Sequence, residues 1–101
     1  MAHFLLIYDL AEDYMDRREA FRAEHLALAG AAADAGELLL GGALTGPSDT
    51  ALLVFTTAER AEAFARSDPY VAEGLVRRFS IREWQTVVGS AASEPLGQGL
   101  A

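Results

Sequence analysis

Two side chains in this sequence have the types needed for proton transfer. One is His25, the only imidazole away from the extreme N-terminus; the other is Asp68, inside the run Ser67-Asp68-Pro69-Tyr70. An imidazole exchanges protons near neutral pH, and a carboxylate bonded to one of its nitrogens fixes its tautomer and orientation. Arg22 and Arg18 precede His25 on the same side of a helical stretch, where a guanidinium fork matches a carboxylate. His25 and Asp68 therefore read as a catalytic acid/base dyad, and Arg22 and Arg18 as substrate-binding residues beside it. The chemistry this allows is movement of a proton on a small, anionic, carboxylate-bearing molecule. Tyr8, ending the first apolar run, and Tyr70, two residues after Asp68, join the substrate-binding candidates, although both rings equally suit a core or an interface.

Each feature also has a plainer reading. Asp followed by Pro is what a helix N-cap looks like when proline takes the first helical position. A lone histidine on an apolar stripe is more often structural, and arginines on a helix face are usually solvated, here with Glu19 and Glu24 as available ion-pair partners. The cap and the dyad are compatible, since a carboxylate has two oxygens. No metal or cofactor is expected: two histidines without a spaced carboxylate cluster make no metal site, and there is neither a glycine-rich nucleotide loop nor a G-x-S-x-G elbow.

The elements that must position these residues follow from length and pattern. With 101 residues the chain is one small domain, and its 51% hydrophobic share overstates the core because about a fifth of the residues are alanine. Eight basic and fifteen acidic side chains give a net charge of −7, which excludes nucleic acid and anionic membrane as natural partners. There is no cysteine, no apolar span of membrane length and no basic leader before the short run Phe4 to Tyr8, so a cytoplasmic protein is expected.

His3 to Asp9 reads as a first strand whose two faces are both apolar, Phe4, Leu6 and Tyr8 on one and Leu5 and Ile7 on the other. Tyr14 to Ala35 changes to helical period, with Phe21, Leu28 and Ala32 in the stripe that holds His25, a possible cap at Asp13 or Asp16, and Gly36 as terminator. Glu37 to Leu44, carrying the Gly41-Gly42 pair that suggests a bulge, and Ala51 to Phe55 form an antiparallel hairpin around Gly46-Pro47-Ser48-Asp49. Thr56 or Thr57 caps a helix from Ala58 to Arg66, a short turn runs from Pro69 to Glu73, and Leu75 to Val88 is the last strand. Residues 90–101 read as a disordered tail after a domain of residues 1–89. The order β-α-β-β-α-β is that of the α+β ferredoxin-like sandwich, a four-stranded antiparallel sheet with two helices on one face. That leaves an apolar second face, most simply buried against another copy, so a homodimer joined sheet to sheet is expected.

The chain resembles the YCII-like family of the dimeric α/β-barrel superfamily. The matching pieces are the strand ending Tyr8-Asp9, Arg22-x-x-His25-Leu26, Gly41-Gly42, Ser67-Asp68-Pro69-Tyr70 with Gly74-Leu75, and Ile81-Arg82-Glu83-Trp84 to Val88-Gly89. The resemblance implies a ferredoxin-like protomer, a dimer whose sheets close a barrel, and an active site at a His/Asp pair falling on His25 and Asp68. Relatives include enzymes that dehalogenate chlorinated muconolactones, and the superfamily is similar to muconolactone isomerases. Many relatives carry proline where this chain has Glu83. The resulting expectation is a cofactor-independent lyase or isomerase acting on a small anionic carboxylate or lactone. Two other classes remain open on these residues: a dimeric module that binds a small ligand without chemistry, and an interaction scaffold in which His25 and Asp68 are structural.

Overall fold

Residues Phe4–Leu10 form β1, the strand on which the rest of the sheet is laid. In the computed structural model, which describes residues 2–94, β1 lies between β3 (Thr50–Phe55) and β4 (Val76–Glu83), and β2 (Leu38–Ala43) closes the edge beyond β3. All pairings are antiparallel, with Phe4 opposite Phe55 on one side and Glu83 on the other. The period-two pattern decides the faces: Leu6, Tyr8 and Leu10 are buried beneath the helices, while Leu5 and Ile7 are half-buried on the far side.

The first helical stretch is divided. It runs as α1 (Tyr14–Arg17) and α2 (Glu19–Asp34), joined through Arg18, whose backbone stays helical at φ −61°, ψ −32°. The joint is a tighter turn, in which the Phe21 N–H bonds the Arg18 carbonyl three residues back. Asp13 precedes α1 without a side-chain capping bond. Gly36, at φ 77°, ends α2 by taking the left-handed conformation that lets the Gly36 and Glu37 N–H groups reach the Ala33 and Ala32 carbonyls. In β2 the irregularity falls between Leu38 and Leu40, ahead of the glycine pair. Helix α3 (Ala58–Ser67) starts on Thr57, whose hydroxyl accepts the Arg60 N–H at 3.1 Å. The single turn α4 (Pro69–Ala72) follows at once.

Both helical layers lie on one face of the sheet. Phe55, Leu6 and Tyr8 meet Ala61, Phe64 and Ala65 of α3 in the buried core, and Phe21, Leu28, Ala29 and Ala32 of α2 pack on it from the side. This is the ferredoxin-like arrangement expected from the element order.

The last strand is shorter than its apolar content suggests, ending at Glu83 and not Val88. Its partner decides this: β1 begins at Phe4 opposite Glu83, and only the Trp84 N–H to His3 carbonyl bond extends the pairing. Thereafter the chain turns back. Thr86 accepts the Ser93 N–H at its side chain and the Glu94 N–H at its carbonyl. Of the stretch expected as a disordered tail, residues 95–101 lie outside the described residues.

Phe55 is fully buried and touches the Phe64 ring at a centroid distance of 5.3 Å. Phe55→Ala is expected to cost about 3–5 kcal/mol in chemical denaturation, the usual loss for an aromatic removed from a close-packed core; a loss below about 1 kcal/mol would mean that this ring is not in the core.

Candidate functional site

The site begins where α3 stops. Asp68 precedes proline, which drives it out of helical conformation to φ −77°, ψ 122° and makes it the N-cap of α4. Its Oδ1 accepts the Tyr70 N–H at 3.0 Å. The same oxygen lies 2.9 Å from His25 Nδ1, and Oδ2 accepts the Tyr8 hydroxyl at 2.7 Å. Asp68 has no exposed surface at all, so these three donors are its entire solvation. The cap and the contact with His25 thus share one carboxylate.

His25 reaches this point from the middle of α2. Opposite an oxygen with only lone pairs to offer, Nδ1 carries the hydrogen, and Nε2 is the nitrogen left for another molecule. The imidazole lies flat on the Tyr70 ring, with centroids 3.9 Å apart and planes within 6°, and meets Phe64 edge-on at 6.1 Å. Packing on two sides and a hydrogen bond on a third leave it little rotational freedom.

A cleft of about 440 Å³ opens beside His25. Arg18, Arg22, Tyr14 and Tyr70 line it from the helical side, and Tyr8, Gly41, Gly42, Ala43, Ala51 and Leu53 from the sheet. The small residues of β2 and β3 keep it open; a Cβ on Gly41 would come within 3.2 Å of Leu53 Cγ. Among the described residues, Arg17, Arg60, Arg66, Arg77 and Arg78 are each within ion-pair distance of a carboxylate, but Arg18 and Arg22 are not. The available partners Glu19 and Glu24 are not used. Arg18 instead sits 5.9 Å from the Tyr14 ring centroid.

All six candidate residues therefore meet at one place, with a difference in their roles. Tyr8 lines the cleft, but its hydroxyl is turned away to Asp68; burial first, then the charge of Asp68, pushes that phenol far above its ordinary value near 10. Sequence reasoning missed Tyr14, Phe64 and the glycine pair as parts of the site. For Gly41 the signal was present, two adjacent glycines in an otherwise apolar strand. Asp9, next to Tyr8, takes no part. It is held by Arg77 and Arg78 at 2.9 Å each on the exposed side of β1 and β4, and these bonds lower its carboxyl below the usual range. No group of three or more His, Cys, Asp or Glu side chains suited to a metal occurs among the described residues.

Tyr8→Phe removes one donor and leaves Asp68 Oδ2 buried without a partner, an expected loss of about 1–3 kcal/mol. The alkaline behaviour has a definite sign. The unfolded chain releases the Tyr8 proton through about pH 10, whereas the folded protein retains it, so stability is complete below that pH and falls as pH rises above it. Denaturation between pH 8 and 11 should show a shallower alkaline decline in Tyr8→Phe than in wild type; identical slopes would mean that the hydroxyl is not held as described. Long-range ¹H–¹⁵N correlation should find His25 as the Nδ1–H tautomer when neutral, with the preference lost in Asp68→Ala; a majority Nε2–H form in wild type would contradict the geometry.

A solved structure of 5-chloro-2-hydroxyhydroquinone dehydrochlorinase from Burkholderia phenoliruptrix, in complex with 2,5-dihydroxybenzoquinone, superposes with a TM-score of 0.69 at 18% sequence identity, covering 83% of this chain and 94% of that one. At that identity the likeness is one of fold. No curated protein gives a significant match to this sequence. The YCII-related domain matches residues 1–85, which takes in every strand, every helix and all six residues gathered at the cleft. The chain belongs to the YCII-related domain family.

Proposed function

We propose that the protein is a small, cofactor-independent enzyme of the lyase or isomerase type, a cytoplasmic homodimer that moves a proton on a small anionic carboxylate or lactone. The observation that carries this reading is the 2.9 Å contact between His25 and a wholly buried Asp68 at the wall of an open cleft. His25 Nε2 acts as general base and then general acid, and Asp68 holds the imidazole in the tautomer that frees Nε2. Arg22 and Arg18, without carboxylate partners of their own, bind the substrate's negative charge. Tyr70 supports the imidazole by stacking, and Tyr8 supports Asp68. The dehydrochlorinase of the same fold, holding a small oxygenated ring compound, supports a cleft of this kind used for small-molecule chemistry.

The dimer joins the outer sheet faces. Leu5, Ile7, Leu52 and Val54 lie on that face only half-buried, Leu40 on the edge strand is 74% exposed, and Trp84 and Val88 beside it are also exposed. Burying such a surface is the main driving force open to a chain of this size.

Screening small carboxylates, lactones and chlorinated hydroxyhydroquinones by mass spectrometry should find a converted compound. On it, His25→Ala is expected to lower kcat by about 10²–10⁴-fold, the usual worth of a positioned acid/base group, with Asp68→Asn lowering kcat more than it raises KM. A folded His25→Ala variant that turns over its substrate normally would refute the assignment. A ligand bound but recovered unchanged after prolonged incubation would favour a binding module instead. For the assembly, light scattering at micromolar concentration should return about twice the 10.8 kDa chain mass, falling to one chain in Val54→Asp; a monomeric wild type would sink the dimer.

A further inference from the structure

The chain carries fifteen acidic side chains, yet among the described residues none of them lines the cleft beside His25. Two arginines do. Arg18 and Arg22 stand one helical turn apart at the start of α2, both half-buried and both in the cleft wall. Glu19, three residues before Arg22 and on a spacing that allows a pair, is not bonded to it; among the described residues neither guanidinium has a carboxylate within ion-pair distance. Arg82 also lacks one, but it is exposed and water screens it.

The two charges act at one place. Burial raises the Tyr70 phenol above its ordinary value and Tyr14 adds to this, while Arg22 and Arg18 both pull against it, so both guanidiniums are close to the same ring. Like charges brought together in a half-buried cleft repel each other with less screening than at an open surface. Arginine does not shed the repulsion by losing its proton. Asp68 does not relieve it either, because that carboxylate has no exposed surface and its oxygens are taken by Tyr8, His25 and the Tyr70 N–H.

A ligand with a single negative charge matches one fork and leaves the other unmatched. One with two charges satisfies both and removes the repulsion between them. Each guanidinium takes one carboxylate in its plane through two parallel bonds, so forks rooted a turn apart suit two carboxylates. The rest of the cleft suits the body between them: Gly41, Gly42 and Ala43 leave apolar room on the sheet side, and Thr45 and Ser48 add hydroxyls without charge.

We propose that the cleft is built for a dianion, a small molecule with two carboxylates on one apolar body, Arg18 holding one and Arg22 the other. This rests on the reading of the two arginines as substrate-binding and narrows the class of substrate, since a lactone with one carboxylate leaves half of the charged wall unmatched.

The test uses isophthalate and glutarate, each beside its monomethyl ester, which keeps the carbon body and removes one charge. By calorimetry at neutral pH, where the free carboxyls are ionised, wild type should bind each diacid at least about tenfold more tightly than its half-ester, the smallest gain expected from hydrogen bonds to a further charged group. In Arg18→Gln the diacid should lose that factor while the half-ester changes by less than about threefold, so that the two bind alike; Arg22→Gln should behave in the same way. Glutamine keeps the helix propensity and neither arginine has a carboxylate partner to lose, so both variants should melt near the wild-type Tm.

Equal affinity for diacid and half-ester in wild type overturns this inference and leaves an anion site for one charge, and with it the proton-transfer reading, standing. A preference that survives in both variants overturns it as well, because the arginines are then not its source. Phenyl phosphate serves as a third probe: tighter binding of it than of either diacid shows that both charges are received on one group and overturns the dicarboxylate assignment. A wild type that binds none of the probes overturns both this inference and the reading of the arginines as substrate-binding. Where a variant does not fold, the comparison of diacid with half-ester in wild type decides alone.

Discussion

A carboxylate removed completely from water sets the terms for this small protein. Burial of an ionisable group without partners costs several kcal/mol, a large fraction of the stability that a domain of this length has. Asp68 is tolerated because donors come to it from three elements: the Tyr8 hydroxyl from the central strand, the His25 imidazole from the long helix, and the Tyr70 N–H from its own turn. The same three contacts that offset desolvation therefore tie β1, α2 and the α3–α4 corner together. The His25–Asp68 contact is therefore held in geometry by the fold's own requirement that the carboxylate be satisfied.

What lies outside that knot follows from size and charge. Alanines and glycines dominate the sheet wall of the cleft, and their small volume leaves room that larger side chains would fill. Across from them stand two guanidinium groups that the acidic surface of the protein does not neutralise. In a chain of net charge −7 this is a local reversal of sign. His25 sits at the border between the two regions, its Nδ1 on Asp68 and its ring in the cleft wall.

The sheet has a comparable division. One face carries the helices and the buried hydrophobic core; on the other, Leu5, Ile7, Leu52 and Val54 are half-buried, and the chain's own return past Thr86 covers His3. Hydrophobic side chains thus stand on both sides of β1 and β3. The cleft lies on the helix side, so a second copy seated on the outer face leaves its mouth open.

The element order, the faces of β1 and the stop at Asp68-Pro69 were legible in the sequence because they depend on local rules: period, propensity and the steric effect of proline on its neighbour. Gly36 as terminator and Thr57 as cap belong to the same class. The end of β4 was not legible, since it depends on where a partner strand far away in the chain begins, and the break at Arg18 was hidden in a stretch that stays helical on both sides. His25, Asp68, Arg22 and Arg18 were recognisable as chemical types. Their sequence could not say that one carboxylate oxygen serves both cap and imidazole, that Tyr8 spends its hydroxyl inward, or that the Tyr70 ring lies flat on His25. Those outcomes are set by distances between residues separated by much of the chain, and only the packing of β1, α2 and α4 around a single buried charge decides them.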